Sequence, residues 1–179
     1  VIKFCTQCGN DVSFIVPSGD THPRHVCISC GHIHYENPRM VVGCVATCDD
    51  RILLCRRAIE PRLGYWTLPA GFMENGETTA EAASRETWEE AGARINIEAP
   101  FSMISIAYIN QVHLFYRGQL ATPDYAAGEE SLEVALFKAE DIPWSDLAFR
   151  SVELTLRHFL ADTQLEQFGF HEAELPPID

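Results

Sequence analysis

Between Gly71 and Ala93 the chain reads Gly-Phe-Met-Glu-Asn-Gly-Glu-Thr-Thr-Ala-Glu-Ala-Ala-Ser-Arg-Glu-Thr-Trp-Glu-Glu-Ala-Gly-Ala. Asn75-Gly76 marks a turn, Thr78 or Thr79 offers a helix cap, and Gly92 offers a left-handed helix end, so a helix is predicted up to Ala91. At about 100° per residue, Glu86, Glu89 and Glu90 fall within about a 100° sector of that helix. Ala80, Ser84, Thr87, Trp88 and Ala91 fall on the other side, which is expected to face the core. Three clustered carboxylates repel one another and weaken a helix that gives them no partner. A divalent cation removes the repulsion, and hard oxygen donors favour Mg²⁺ or Mn²⁺ over softer metals. The bland alternative is a solvated acidic helix face.

A second constraint opens the chain. Cys5-x-x-Cys8 and Cys27-x-x-Cys30 are two knuckles 18 residues apart, each followed by glycine, Gly9 and Gly31. Paired knuckles of this form read as a zinc ribbon, with Cys5, Cys8, Cys27 and Cys30 as the four thiolate ligands of one structural Zn²⁺. So short a segment cannot build a core alone, and the metal would supply its folding energy. Two disulfides are the alternative. His22, His25, His32 and His34 read as surface or linker histidines, with His32 or His34 able to touch a ligand instead. Cys44, Cys48 and Cys55 sit in apolar strand-like segments and read as buried free thiols of a reducing compartment, or else as a second metal or redox site.

The 179 residues suffice for one core plus a small appendage, and no apolar run reaches the length of a membrane span. The opening residues carry no signal-peptide pattern, and a cytoplasmic protein is expected. With 13 basic against 26 acidic side chains the formal charge is −13, which disfavours long nucleic acid as a partner. The ribbon holds only Lys3 and Arg24 against Asp11 and Asp20, so a structural or dimer-forming role is expected of it.

Along the rest of the chain, 31–39 reads as a polar join. Residues 40–47 and 52–57 read as a hairpin about Asp49-Asp50, and 59–65 as a loop. A short strand at 66–69 runs into the Gly71 loop. Strands are expected at 93–99, 101–109, 111–120 and 131–137, with an amphipathic helix over 150–161 that turns Val152, Leu156, Phe159 and Leu160 inward. The tail from Thr163 reads as an ordered edge fraying into a loose end. Helices on both faces of a mixed α/β sheet are implied.

The spacing Gly71, five residues, Glu77, seven residues, Arg85-Glu86-x-x-Glu89-Glu90-x-Gly92 matches the Nudix box, departing only at Thr87, where the family has an aliphatic residue. Outside the box, Asn37-Pro-Arg-Met-Val-Val-Gly-Cys, Leu53-Leu-Cys-Arg-Arg and Trp66-Thr-Leu-Pro-Ala-Gly are similar to the zinc-ribbon Nudix group that includes the plant plastid FAD and ADP-ribose pyrophosphatases and their bacterial relatives. So are Glu130-Ser-Leu-Glu-Val-Ala-Leu-Phe, Asp141-Ile-Pro-Trp and Leu147-Ala-Phe. The resemblance implies a zinc ribbon over residues 1–36 and an α/β/α Nudix sandwich over 37–179. It implies a Mg²⁺-dependent hydrolase, commonly a homodimer, that cuts the diphosphate of a nucleotide derivative such as FAD or ADP-ribose and releases AMP. Its implied metal ligands are Glu86, Glu89, Glu90 and the carbonyl of Ala70, with Arg85 orienting the glutamates.

Glu89 in the helix and Glu130 in the loop after Gly128 are candidates for general base, with Glu133 behind them. Gly128 gives that loop freedom to close over substrate. Phe72 and Tyr108 are candidates to stack on the organic end, as are Phe115, Tyr125 and Tyr35. Arg56 and Arg57 alternate on a strand, so one of them is expected to face phosphate. Two other readings stand beside this one. The NADH pyrophosphatase and RNA NAD-decapping group shares the ribbon, but its Ser-Gln-Pro-Trp-Pro-Phe-Pro run has no counterpart here, where the chain reads Ile104-Ser-Ile-Ala-Tyr-Ile-Asn-Gln-Val-His. The proline that many ADP-ribose hydrolases carry downstream of the box is also missing. The last alternative is a zinc-ribbon binding or sensor protein on a Nudix fold.

Overall fold

The computed structural model describes residues 2–177. The expected loose end past Pro177 falls on Ile178 and Asp179, outside the described residues. The chain divides into two compact units, one ending at Asn37 and the next beginning at Pro38.

The first unit is a three-stranded antiparallel sheet of β1 (Val12–Ile15), β2 (Arg24–Cys27) and β3 (Ile33–His34). Its two knuckles repeat one geometry: the amides of Gly9 and Gly31 return to the carbonyls of Cys5 and Cys27 at 2.9 and 3.0 Å. Contrary to expectation, His34 is buried, with Nε2 lacking a hydrogen-bond partner, because β3 lies against β2 with His34 opposite His25.

The second unit is built on a mixed sheet in which β10 (Ser131–Phe137), β5 (Arg51–Arg57), β4 (Arg39–Cys48), β9 (Gln111–Leu120), β8 (Ile95–Ile106) and β11 (His171–Glu174) follow one another. The pairs β4–β9 and β8–β11 are parallel and the others antiparallel. Two short strands, β6 (Trp66–Thr67) and β7 (Ala70–Phe72), join β5 and β4. Strand alternation sorts the core into two layers. Val42, Cys44, Ala46, Leu53 and Cys55 meet Ala82, Ala83 and Ala91 of α1 (Thr79–Ala91). Val45, Ile52, Leu54, Phe101 and Phe115 meet Val152, Leu156 and Phe159 of α2 (Arg150–Leu165). The sandwich implied by the sequence is therefore present. Cys44 and Cys55 are buried free thiols within it and Cys48 is half-buried.

Three local expectations change. The strands expected at 93–99 and 101–109 are one strand, β8, whose register shifts on either side of Ala99-Pro100. Proline cannot donate to the ladder, and the bulges absorb it without ending the strand. Tyr108 lies beyond, in a 3₁₀ turn over Ala107–Ile109. Leu160 of α2 is only partly buried, while Ser151 and Thr155 are buried. The hydroxyl of Ser151 meets His113 Nδ1 at 2.9 Å and that of Thr155 meets Ser102 Oγ at 2.8 Å, so α2 carries a satisfied polar stripe into the core. The tail adds β11 to the free edge of β8.

Candidate active site

Helix α1 begins with a reciprocal cap. The Thr78 hydroxyl accepts from Glu81 N at 3.2 Å, and the Glu81 carboxylate accepts from Thr78 N at 2.7 Å. It ends at Gly92, in the left-handed region at φ 55°. Strand β7 pairs with β4 through Gly43↔Ala70, Val42↔Gly71 and Val41↔Phe72, which lays the Gly71 segment across the helix. A Cβ on Gly71 would run into the Glu86 carboxylate, so glycine here lets that carboxylate lie directly under the strand, and a larger residue would push it aside. The Ala70 amide donates to Glu90 Oε2 at 3.2 Å.

Two of the three carboxylates of the acidic face are thereby covered, while Glu89 stays exposed. Glu86 is 9% exposed and Glu90 6%, which corrects the picture of an open carboxylate face. The buried arc of α1 runs through Ala82, Ala83, Glu86, Thr87, Glu90 and Ala91. Trp88, expected inward, lies beyond that arc at 51% exposure with Arg94 over its ring. Thr87 faces the core as expected, and its hydroxyl donates to the Ala83 carbonyl at 2.7 Å.

Arg85 organises the carboxylates. Its Nε and Nη2 grip Glu77 at 2.9 and 2.7 Å, Nη1 reaches Glu86 at 2.7 Å and Glu89 at 3.0 Å, and Nη2 also donates to the Phe72 carbonyl at 3.1 Å. The grip holds the Glu77 carboxyl down at about 2. The two buried glutamates move the other way. Burial raises the Glu86 carboxyl against the pull of Arg85. It pushes Glu90 up to about 8, with the Glu86 and Glu130 charges adding to the rise and the Ala70 amide and Arg57 opposing it.

The tertiary fold supplies the remaining members. The loop between β9 and β10 brings Glu130 close enough for its charge to act on both Glu86 and Glu90. Arg57 acts on Glu90 and lies 5.0 Å over the Phe149 ring. Arg56 turns away, pairing with Glu133 at 3.6 Å and donating to the Gly64 carbonyl. Phe72 is 45% exposed at the rim, under the guanidinium of Arg39 at 4.9 Å. Arg39 was not singled out by the sequence: no spacing rule marks it, and only the β4–β7 register sets it over Phe72. Tyr108 is 48% exposed, and among the described residues no hydrogen bond or ring contact ties it to the carboxylates. Phe115 is buried in the core, while Tyr125 and Tyr35 are exposed.

An all-oxygen set of carboxylates, two of them buried and raised, fits a hard divalent cation; the Arg85 guanidinium already bridges Glu86 and Glu89 as a positive charge. In the ribbon, the four cysteine Sγ atoms lie within 4.8 Å of one another. The closest pairs are 3.7 Å for Cys5–Cys30 and 3.4 Å for Cys8–Cys27. These separations are too long for disulfides and match the edges of a tetrahedral thiolate site, which are about 3.8 Å for Zn–S bonds near 2.3 Å. Backbone amides of Gln7 and Cys30 point at the sulfurs of Cys5 and Cys27, each at 3.4 Å. Among the described residues no other His, Cys, Asp or Glu group converges so tightly, and no helix is long and apolar enough to cross a membrane.

Comparison with known proteins agrees with this geometry. A family model described as Nudix N-terminal matches residues 3–36, and one described as NUDIX domain matches 37–158. The chain is 30% identical over 160 residues to the NAD-capped RNA hydrolase NudC of Chromobacterium violaceum, covering 87% of this chain and 57% of that protein. The NudC protein of Klebsiella pneumoniae is 29% identical over 158 residues, with 79% and 53% covered. The chain thus spans a little over half the length of these relatives. The crystal structure of a NUDIX hydrolase from Nitrosomonas europaea superposes with a TM-score of 0.94 at 45% identity, covering 97% of this chain and 99% of that one. With the box helix, its covering Gly71 strand and the four-cysteine ribbon all in place, the chain belongs to the Nudix hydrolase family and carries that family's zinc-ribbon N-terminal domain.

Proposed function

We propose that the chain is a divalent-cation-dependent pyrophosphatase that hydrolyses the diphosphate of a nucleotide derivative, FAD or ADP-ribose, and releases AMP. The observation that carries this reading is the pair of buried glutamates, Glu86 and Glu90, folded under Gly71 with raised carboxyl groups. Such a pair is costly in the absence of a cation and suited to one. Glu86, Glu89 and Glu90, with the Ala70 carbonyl, would hold Mg²⁺ or Mn²⁺. When bound, the ion neutralises diphosphate charge and acidifies water.

The protein's own groups do the rest. Arg85 fixes the glutamates and does not touch the substrate. Glu130 is the general base favoured over Glu89, because Glu89 is committed to Arg85 at 3.0 Å. Glu130 faces the same cluster without that tie. Arg57, with its Nε anchored on the Pro61 carbonyl at 2.8 Å, is the arginine suited to a phosphoryl oxygen. Arg56, paired with Glu133, is withdrawn from that role. Phe72 and Arg39 form a flat rim for the organic end.

A second reading, hydrolysis of NAD(H) or an NAD-type RNA cap, is favoured by the names of the NudC relatives. One experiment separates the two. Product analysis with Mg²⁺ across FAD, ADP-ribose, NADH and dinucleoside polyphosphates should give AMP with FMN or ribose 5-phosphate as the fastest products. Faster release of nicotinamide mononucleotide would give the second reading precedence. Absence of hydrolysis across the panel would reject both in favour of a binding or sensor role.

A further inference from the structure

The last turn of α1 ends with carbonyls that have no partner inside the helix. Two are taken by the loop between β9 and β10: Ala126 N donates to the Ala91 carbonyl at 2.8 Å, and Gly128 N donates to the Glu90 carbonyl at 3.0 Å. We propose that Gly128 is a positioning residue for the hydrolysis, clamping its loop onto the turn that carries Glu90 so that Glu130 is fixed beside Glu86 and Glu90 before substrate arrives. The proposal rests on the reading of Glu130 as general base.

Space, not backbone freedom, requires glycine here. Gly128 lies outside the left-handed region, so its backbone conformation is not one that favours glycine. A Cβ on it would overlap the Glu89 carbonyl oxygen and stand 2.8 Å from the Glu89 carbonyl carbon and 3.3 Å from Glu90 Cα. All three are backbone atoms of α1, so no rotamer change can make room. Two residues further on, the Glu130 carbonyl accepts from Ala58 N at 2.8 Å, and Ser131 N closes the turn on the Gly128 carbonyl at 3.1 Å. Residues 128–131 are therefore held by α1 on one side and by the end of β5 on the other. The glycine expected to give a closing loop its freedom is instead the point at which the loop is packed.

The test is a double-mutant cycle, read by single-turnover hydrolysis of FAD and of ADP-ribose at saturating Mg²⁺. Glu130→Gln is expected to lower the rate about 10²-fold without moving the half-saturating Mg²⁺ concentration. Gly128→Ala should lose about 10-fold or more, since small displacements of a reacting group are costly. If both act through one carboxylate, the double variant is no slower than the slower single variant. A slow Glu130→Gln beside a fast Gly128→Ala, or losses that multiply in the double variant, overturns the proposal alone. A wild-type rate for Glu130→Gln overturns it together with the reading of Glu130. Should Gly128→Ala not fold, Ala126→Pro removes only the second anchor and is expected to show the same non-additivity with Glu130→Gln. Hydrogen exchange gives a readout apart from activity. The Ala126 and Gly128 amides should be protected in the substrate-free enzyme, and exchange at the unprotected rate would refute the clamp.

Discussion

At the scale of single residues, the contrast between Glu77 and Glu90 is the most informative. Both sit in the acidic segment, yet Glu77 is held near 2 by the Arg85 fork while Glu90 is pushed to about 8 by burial. The consequences for pH have opposite signs. Glu77 stabilises the fold above its unfolded value of 4.5, and that contribution is lost as pH falls toward about 2. The metal-free fold keeps the proton on Glu90 longer than the unfolded chain does, so stability falls as pH rises from 4.5 through about 8. Mg²⁺ must displace that proton, so its affinity should climb through the same window and level off above it. Mg²⁺ titrations of thermal stability at pH 6, 7 and 8.5 check this. Glu90→Gln should flatten the metal-free decline and abolish the Mg²⁺ response, and Glu86→Gln should act in the same direction. Both variants should lose about 10²-fold or more in turnover with the fold intact. Near-wild-type kcat at saturating Mg²⁺ in both would remove these residues from the metal site.

Among elements, α1 matters most, because its start and end are fixed by different means. The start is local: Thr78 and Glu81 cap one another within four residues. Thr78→Ala is therefore expected to cost about 1 kcal/mol, seen as a lower midpoint in urea with an unchanged slope. It lies a full helix length from Glu90, so kcat should stay within about twofold of wild type; a large kcat loss would show that the cap and the carboxylates are coupled. The end turns locally at Gly92, but the last free carbonyls are completed by tertiary contacts. Ala126 and Gly128 complete its carbonyls, and no local pattern announces them. Trp88 tells the same story from the surface. A helical wheel put it inward, but the buried arc is set by where β7 crosses, and β7 crosses over Glu86 and Glu90.

On the scale of the whole molecule, two donor sets suited to different metals belong to different compact units. The ribbon offers four sulfurs within 4.8 Å, and the Nudix unit offers carboxylate oxygens. Thiolates hold Zn²⁺ far more tightly than carboxylates hold Mg²⁺. Protein purified under reducing conditions without chelator should contain about one Zn per chain by elemental analysis. Brief EDTA treatment should abolish hydrolysis reversibly, with Mg²⁺ restoring it, while the zinc stays bound. Loss of zinc and of activity in parallel would show that one metal serves both, contrary to the assignment of thiolates to zinc and carboxylates to Mg²⁺.

What the sequence determined was whatever depends on short spacing. The two cysteine knuckles, the box helix with its glutamates and Arg85, the hairpin about Asp49-Asp50 and the mixed sheet between helices all follow from periodicity and turn chemistry over a few residues. Burial of Glu86 and Glu90, the pairing of Arg56 with Glu133, the place of Arg39 over Phe72 and the approach of Glu130 did not follow. Each depends on a contact between different elements of the fold: Gly71 on Glu86, β5 beside β10, β4 beside β7, and Gly128 against Glu90. Such contacts are fixed by strand register and backbone packing. A sequence read along its length marks the glycines that permit them, but only the assembled sheet and helix decide which backbone comes to lie against each.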